Sequence, residues 1–539
     1  MLAGPADARP LRIAPGGPMS AYVEARTAEA IGDTVLSAQL FAALAAADPA
    51  NHGLAARSIA AALNAGQFEL AVAQLPRVAP AERDLGARLL ALVDEVRHGH
   101  TQAAADRLAA HPDQGEATFL VPLLRAWAAT DRGDPSGAAL LAALPATNPL
   151  TALASEQRAD MLLRLGRLDE GKVLAATVVA AGGGREGRLR LAFADALAAK
   201  GDRAGALAMV AGDDDALVEA RTRLKAGQPL GMAVGNAAQG LSEMLVGLAI
   251  ILSRDDNRAL SIPLAQLARF ADPANAEASI VTALFLREAK RAGEALVVLR
   301  GVSPGGLLAG DAADAEVQML TDLKRPQEAL ARARALAARR GATLGDLVRL
   351  GSLLDDQKNH GEAASVLTQA IERVRAAGEQ PRWGLYLIRA SALESANRWP
   401  EARSDLQAGL ALAPDEPTLL NFLGYGQLEH GVEVAQSEAM IRKALAARPD
   451  NPSITDSLGW ALYKRGRLDE AIATLTKAAM DDPAQSEIHE HLGDVLYADG
   501  RRFEARFAWE AALVTAEVDD AARLRAKIAD GLTAATAAR

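Results

Sequence analysis

Short apolar runs alternate along the chain with polar turns, at the spacing of a repeated helical hairpin. In the N-terminal half each turn carries a glycine, and the successive gaps are 34, 33, 34, 33 and 35 residues: Gly32, Gly66, Gly99, Gly133, Gly166 and Gly201. Four of these turns are followed by a small residue in an apolar segment: Ala38, Ala71, Ala138 and Ala206. A fixed period of this length predicts stacked copies of one helical unit rather than independent domains.

The C-terminal part of the chain shows the same period at two positions of the unit. Gly424, Gly459 and Gly493 are 35 and 34 residues apart, and three prolines have the same spacing: Pro414, Pro449 and Pro483. Pro ends a helix, and small residues let two helices approach closely, so each unit is predicted to be two antiparallel helices. One unit cannot bury its own apolar face, and neighbouring units must therefore stack.

The order of residues within one such unit resembles the tetratricopeptide repeat. Between Pro452 and Gln485 the residues of this pattern are Leu458, Gly459, Leu462, a turn at Gly466, then Ala471, Leu475, Ala478 and Pro483. The next unit repeats the order with Leu492, Gly493, Leu496, Ala505, Trp509 and Ala512. The resemblance extends from about Tyr22 to Glu517 and is most specific from Leu419 to Leu513.

This resemblance implies an all-α fold, an α-solenoid of antiparallel helix pairs wound into a right-handed superhelix. The three C-terminal units are also similar to the C-terminal portion of a group of bacterial tetratricopeptide proteins, many of which are exported adaptors. We expect five segments: a flexible tail at 1–20, a tetratricopeptide-like block at 21–212, a segment of lost register at 213–274, a tetratricopeptide block at 275–519, and a capping helix and tail at 520–539. The 213–274 segment is interpreted either as degenerate repeats or as a hinge.

Composition supports helices and excludes some partners. Half of the residues are apolar but only 4% are aromatic, which suits close-packed helices better than strands. A net charge of −10, without a long basic run, disfavours nucleic acid as a partner. The chain has no cysteine, which leaves the redox compartment open.

Targeting signals are not evident in the sequence. Four prolines interrupt the N-terminal stretch, which lacks the apolar core of a secretory signal, so the chain as written is expected to be cytoplasmic. It would be periplasmic if an upstream export signal is missing from the sequence. The most apolar segment, Met244 to Leu252, is too short to span a bilayer and is predicted to be a buried helix.

The sequence offers no catalytic constellation, and we expect no cofactor and no bound metal. The stretch GGGREG at Gly182 to Gly187 matches a dinucleotide-binding pattern, but it follows a predicted helix rather than a strand. Two histidine pairs, His98 with His100 and His489 with His491, have a spacing that points them to different sides of a helix. The acidic run from Asp213 to Asp215 is interpreted as a solvated turn.

Register positions predict a binding groove in the C-terminal units. With Pro452 as position 1, positions 2, 5, 9 and 12 form a face about 130° around the first helix from the packing positions. In the resembled family this second face lines the concave groove. The predicted groove residues are Asn421, Tyr425, Asp456, Trp460, Tyr463, Glu490, Asp494 and Tyr497.

Rigid aromatic side chains and negative charge on this face predict a protein or peptide partner that is partly apolar and partly basic. Alternatively, the aromatic side chains fill the narrow inner turn of the superhelix or pack on the preceding helix. The predicted function is a non-catalytic scaffold or adaptor that holds its partner in the groove. The alternative is a regulatory or substrate-recognition subunit of an enzyme complex, a protease or transferase, in which another chain supplies catalysis.

Overall fold

The chain is mainly helical in the residues that the structure, a computed structural model, describes. These are residues 17–110, 117–144, 147–148, 150–181, 184–212, 214–254, 258–339, 342–533 and 536. Within them the chain forms helices α1 to α30 and short 3₁₀ turns, with no β-strand. The first two glycines of GGGREG and Asp213 of the acidic run lie outside the described residues.

The chain divides into two compact units, 1–333 and 334–539. The helices of the N-terminal unit are α1 (Gly17–Ile31), α2 (Thr34–Ala47), α3 (His52–Asn64), α4 (Phe68–Gln74), α5 (Leu85–Arg97), α6 (Thr101–Ala110), α7 (Val121–Asp131), α8 (Gly137–Ala142), α9 (Thr151–Arg164), α10 (Leu168–Ala180), α11 (Glu186–Ala199), α12 (Arg203–Met209), α13 (Asp215–Lys225), α14 (Ala237–Ser253), α15 (Ser261–Ala271), α16 (Ala276–Glu288), α17 (Ala292–Leu299) and α18 (Ala309–Asp322). The boundary between the units falls within α19 (Pro326–Ala337).

The helices of the C-terminal unit follow one another in pairs up to a final single helix. They are α20 (Leu344–Asp356), α21 (His360–Ala376), α22 (Trp383–Ser395), α23 (Trp399–Leu412), α24 (Pro417–Glu429), α25 (Val434–Ala447), α26 (Pro452–Lys464), α27 (Leu468–Asp481), α28 (Ser486–Ala498), α29 (Arg502–Thr515) and α30 (Val518–Asp530). The predicted stack of antiparallel helix pairs is confirmed within each unit. The five-segment division proposed from the sequence stays a prediction.

Most pairs are closed by a turn residue with positive φ, the left-handed conformation that glycine adopts without strain. The six N-terminal glycines of the sequence period all have positive φ. Four later turns use residues with a Cβ instead, at φ 61°, 55°, 61° and 60°: Lys290, Lys324, Lys358 and Asn397. The repeat period therefore continues through the middle of the chain, where no glycine marks it.

Small residues let the two helices of a pair approach, as the sequence pattern predicted. A Cβ placed on Gly459 of α26 would lie 2.5 Å from Leu475 Cγ of α27. Such a distance is far inside van der Waals contact, so this position cannot carry a side chain without displacing Leu475. The glycine is required by close packing and not by its backbone conformation.

In the N-terminal unit, two helices pack on the face that the first helices of successive pairs form. Helices α3, α5, α7 and α9 each precede a glycine turn, and α14 or α15 packs against every one of them. Helix α14 contains the apolar segment Met244 to Leu252 and is buried on nearly all sides, as predicted. Among the described helices, none combines the length and apolarity needed to cross a membrane.

A buried ion cluster fixes the start of α11 to α9, α14 and α16. Arg185, from the GGGREG stretch, donates to Glu156 at 2.7 Å and to Glu277 at 2.7 Å, and it also pairs with Glu243. Burial raises the pKa of Glu156 to about 7, although the Arg185 guanidinium opposes this shift. Burial, reinforced by Glu156, raises the pKa of Asp160 well above its usual range. Arg185 thus bonds to three buried carboxyl groups, and Arg188 provides a second cation to Glu243 at 2.6 Å.

Candidate binding face of the C-terminal unit

The first helices of the last pairs lie side by side and form what we call the inner face of the C-terminal unit. Helix α26 contacts both α24 and α28, and each of these three helices also packs on the second helix of its own pair. The eight residues predicted from the sequence all lie on these three helices. The structure therefore brings together side chains that are up to 76 residues apart in the sequence, from Asn421 to Tyr497.

The eight predicted residues differ in exposure. Four are buried: Asp456, Trp460, Glu490 and Asp494. Four are partly exposed: Asn421, Tyr425, Tyr463 and Tyr497. The four buried side chains form their hydrogen bonds within the unit. Only the four partly exposed side chains can contact a partner in this conformation.

Trp460 is held inside the unit by contacts on three sides. Its side chain is 2% exposed, and its indole stacks on the imidazole of His491 with the ring centroids 4.2 Å apart. Its Nε1 donates to Glu429 Oε1 at 2.5 Å, and Lys464 Nζ lies 4.9 Å from the ring centroid. Trp460 thus fills the narrow space between α24, α26 and α28, the location that the packing alternative describes.

His491 is the partner of Asp456. Its Nδ1 lies 2.9 Å from Asp456 Oδ2, and the imidazole is buried. Burial alone would lower the pKa of His491, but the Asp456 carboxylate outweighs it and raises the pKa to about 9. The imidazole is therefore protonated at neutral pH and forms a buried ion pair.

Tyr425 joins this cluster from α24. Its hydroxyl donates to Glu487 Oε1 at 3.2 Å and lies 3.5 Å from His491 Nε2. Burial, followed by the Glu487 carboxylate, raises the pKa of Tyr425. A contact from α24 to α28, across the intervening α26, shows that the inner face is strongly curved here.

The two buried acidic residues of α28 are neutralised by the last helix, α30. Lys527 of α30 is fully buried, and its Nζ lies 2.6 Å from Glu490 Oε1 and 2.7 Å from Asp494 Oδ1. Arg523 of α30 also pairs with Glu490, and Trp509 Nε1 donates to Asp494 at 2.9 Å. Helix α30 therefore covers the last pair through charged groups as well as through apolar contacts.

Several polar groups of the inner face remain available. The Oδ1 atom of Asn421 is buried and has no hydrogen-bond partner among the described residues. Ser453 and Glu487 are exposed at the starts of α26 and α28. Tyr463 packs on Trp460 with the ring centroids 5.0 Å apart and keeps part of its ring exposed. These groups surround the buried Trp460 cluster.

Three residues on which this arrangement depends lie outside the register positions that predict the groove. His491 and Glu429 bind Asp456 and Trp460, and Lys527 binds the two acids of α28. His491 stands 35 residues after Asp456, close to one repeat period. An acidic residue and a basic residue one period apart therefore predict an ion pair between neighbouring units. Nothing in the repeat pattern placed Lys527, because α30 does not follow that pattern.

No group of three or more His, Asp or Glu side chains in the described part of the chain is arranged to hold a metal ion. Buried carboxylates such as Glu156, Asp456 and Asp494 are instead paired with Arg, His or Lys side chains. The inner face is thus a surface of aromatic, amide and hydroxyl groups with the exposed carboxylate of Glu487 at its edge.

The fold and this face define a helical-hairpin repeat protein. The family described as tetratricopeptide repeat matches residues 348–417, and the family described as TPR repeat matches residues 459–500. The chain therefore carries tetratricopeptide repeats, and both matched regions lie in its C-terminal unit.

The chain is also similar to solved structures, at low identity. One is a chain of the APC/C hetero-tetramer Cut9-Hcn1, with 15% identity over 95% of this chain and 96% of that chain and a TM-score of 0.38. A second is a tetratricopeptide repeat protein from Parabacteroides merdae, with 12% identity over 47% of this chain and 97% of that chain and a TM-score of 0.40. A third is MamA AMB-1, with 21% identity over 31% and 95% of the two chains and a TM-score of 0.25. Similarities at these TM-scores do not indicate a function. No curated protein matches the chain.

Proposed function

We propose that this protein is a non-catalytic scaffold or adaptor that binds a protein or peptide on the inner face of its C-terminal unit. The observation that carries the proposal is the set of partly exposed side chains around the Trp460 cluster, among them Tyr425 and Tyr463. The adaptor role itself rests on the resemblance alone.

The charged groups of the inner face indicate which kind of partner it can bind. Asp456, Glu490 and Asp494 are already paired with basic groups of the unit, so they do not attract a basic partner strongly. Glu487 is exposed and accepts only the Tyr425 hydroxyl among its described hydrogen bonds. The partner we propose is therefore a mainly apolar segment with a single Lys or Arg that reaches Glu487.

Binding of defined peptides to the full chain tests this proposal. The probe is a library of fluorescent 12-residue peptides in which apolar positions surround one Lys or Arg. Peptides that bind the wild type should bind Tyr463→Ala or Glu487→Lys at least about tenfold more weakly, the loss expected for one aromatic anchor or one close charge pair.

Asp469→Lys is the matched control, because Asp469 is exposed on the second helix α27 and the substitution changes the charge equally. It should leave the affinity unchanged. Equal affinity of the wild type, Tyr463→Ala and Glu487→Lys for every bound peptide would show that the partner is held elsewhere.

A further inference from the structure

Helix α29 presents an apolar stripe to solvent on the outer side of the last helix pair. Phe503, Phe507 and Val514 are 75%, 56% and 83% exposed, and Glu510 lies between the last two. The two phenyl rings meet edge to face with their centroids 4.8 Å apart. The opposite side of α29 is buried in the unit through Ala505, Ala508, Trp509 and Ala512.

This stripe is unusual for the molecule. Among the described residues, Phe503 and Phe507 are the only aromatic side chains in the exposed class, whereas Trp127, Trp460 and Trp509 are almost completely buried. Contiguous exposed apolar groups mark interaction surfaces more often than isolated ones do. We therefore expect a binding partner to cover the stripe.

We propose that the occupant is a second copy of this chain, with the two α29 helices packed antiparallel about a two-fold axis. The stripe residues are spaced four, three and four apart, so they follow one side of the helix. A two-fold axis between Ala508 and Trp509 places Phe503 of one copy opposite Val514 of the second copy, and Phe507 opposite Glu510. Such an interface is self-complementary, as an isologous dimer requires.

The charges beside the stripe match the same arrangement. Arg506 and Glu510 form no ion pair within the part of the chain that the structure describes, although they are one helical turn apart. In the antiparallel pair, Phe507 of one copy lies opposite Glu510 of the second copy. Arg506 is adjacent to Phe507 in the sequence, so it lies close to that glutamate. Two symmetric ion pairs then flank the phenylalanines, and they fix the orientation of the helices.

The size of the stripe sets the expected affinity. Twelve residues of helix are about 18 Å long, and one such stripe buries less area than a standard stable interface. We therefore expect a reversible dimer with a dissociation constant in the micromolar range rather than a permanent one.

Sedimentation equilibrium of the full chain, from about 1 to 200 µM, tests the proposal across the range expected for an interface of this size. The average mass of the wild type should rise from 56.1 kDa towards twice that value as the concentration increases. Phe503→Asp/Phe507→Asp should remain at the monomer mass, and Val173→Asp, a control at another exposed apolar side chain, should behave as the wild type. A wild type that stays monomeric, or a double variant that dimerises normally, would overturn the proposal.

A charge-exchange experiment tests the antiparallel geometry itself. Arg506→Glu and Glu510→Arg should each dimerise at least about tenfold more weakly than the wild type, because like charges then face each other across the axis. An equimolar mixture of the two variants should recover dimerisation, because every facing pair is again of opposite charge. A mixture that stays as weak as the separate variants would contradict the pairing of Arg506 with Glu510.

Discussion

The two units fill the face formed by their first helices in different ways. In the N-terminal unit, α14 and α15 pack on that face, and α14 is buried along most of its length. In the C-terminal unit, no helix described there takes this place along α24 and α26; side chains such as Trp460 and Tyr425 do so, and α30 covers only the end. The same repeat architecture therefore produces one unit that is closed by its own chain and one that keeps partly exposed aromatic and amide groups.

The difference lies in which part of the chain occupies the inner face of each unit. A 17-residue helix with few polar groups can replace solvent along several first helices in the N-terminal unit. Helix α30 is shorter and carries Lys527 and Arg523, so it can pair with acids but cannot fill a long apolar face. Three substitutions test the contacts that stabilise the two units.

The largest effect is expected in the ion cluster of the N-terminal unit. Arg185→Met should destabilise this unit by about 3–5 kcal/mol, since it leaves Glu156, Glu243 and Glu277 buried without their shared cation. Urea unfolding followed by circular dichroism measures the loss. Arg26→Met, which removes one exposed pair with Glu29, should change the stability by less than about 1 kcal/mol.

The next effect concerns the buried histidine of the C-terminal unit. The folded-state pKa of His491 is about 9, above the value of about 6.5 expected when the chain is unfolded. Its contribution is therefore fully present below about pH 6.5 and is lost as the pH rises through 9, with a total of about 3 kcal/mol. Urea unfolding at pH 6.5 and pH 9.5 measures this loss.

His491→Gln is the control for the pH dependence, because Lys and Tyr side chains also titrate towards high pH. The variant should be less stable than the wild type at pH 6.5, and the difference between the two proteins should shrink towards pH 9.5. A constant difference at both pH values would show that the His491–Asp456 ion pair does not stabilise the unit.

The smallest effect tests how closely α14 packs on the first helices. A Cβ on Gly240 of α14 would overlap the indole of Trp127 in α7, so Gly240→Ala should destabilise the N-terminal unit by about 1–3 kcal/mol. Gly187→Ala, in α11 with open space around it, should instead stabilise the protein by about 0.4–1 kcal/mol. If both substitutions have the same sign in thermal unfolding, the close contact of α14 with α7 is wrong.

Much of the fold could be predicted from the sequence, because glycine, proline and alanine recur at fixed positions for clear steric reasons. The period was not visible at Lys290, Lys324 and Lys358, since lysine is not a residue that indicates a left-handed turn. The apolar composition of Met244 to Leu252 predicted burial of this segment. It could not indicate which surface would bury it, because that depends on contacts with helices more than 80 residues away.

Register positions suggested which side chains share a face, but not how these side chains are enclosed. Tyr425, Trp460 and Tyr463 lie together around His491. Register does not describe curvature, however, and it is the curvature that lets Tyr425 reach α28 and encloses Trp460. The binding role of the face stays a prediction.

Cysteine labelling measures the contrast between the two inner faces most directly, because the chain contains no native cysteine. Val246→Cys lies in α14, where Val246 is fully buried, and Ser453→Cys lies at the exposed start of α26. With a soluble maleimide under native conditions, the cysteine at position 453 should react within the time of mixing, and the one at 246 at least about 100-fold more slowly, since its reaction requires local opening. Similar rates at the two positions would contradict the account that the N-terminal unit closes its own inner face.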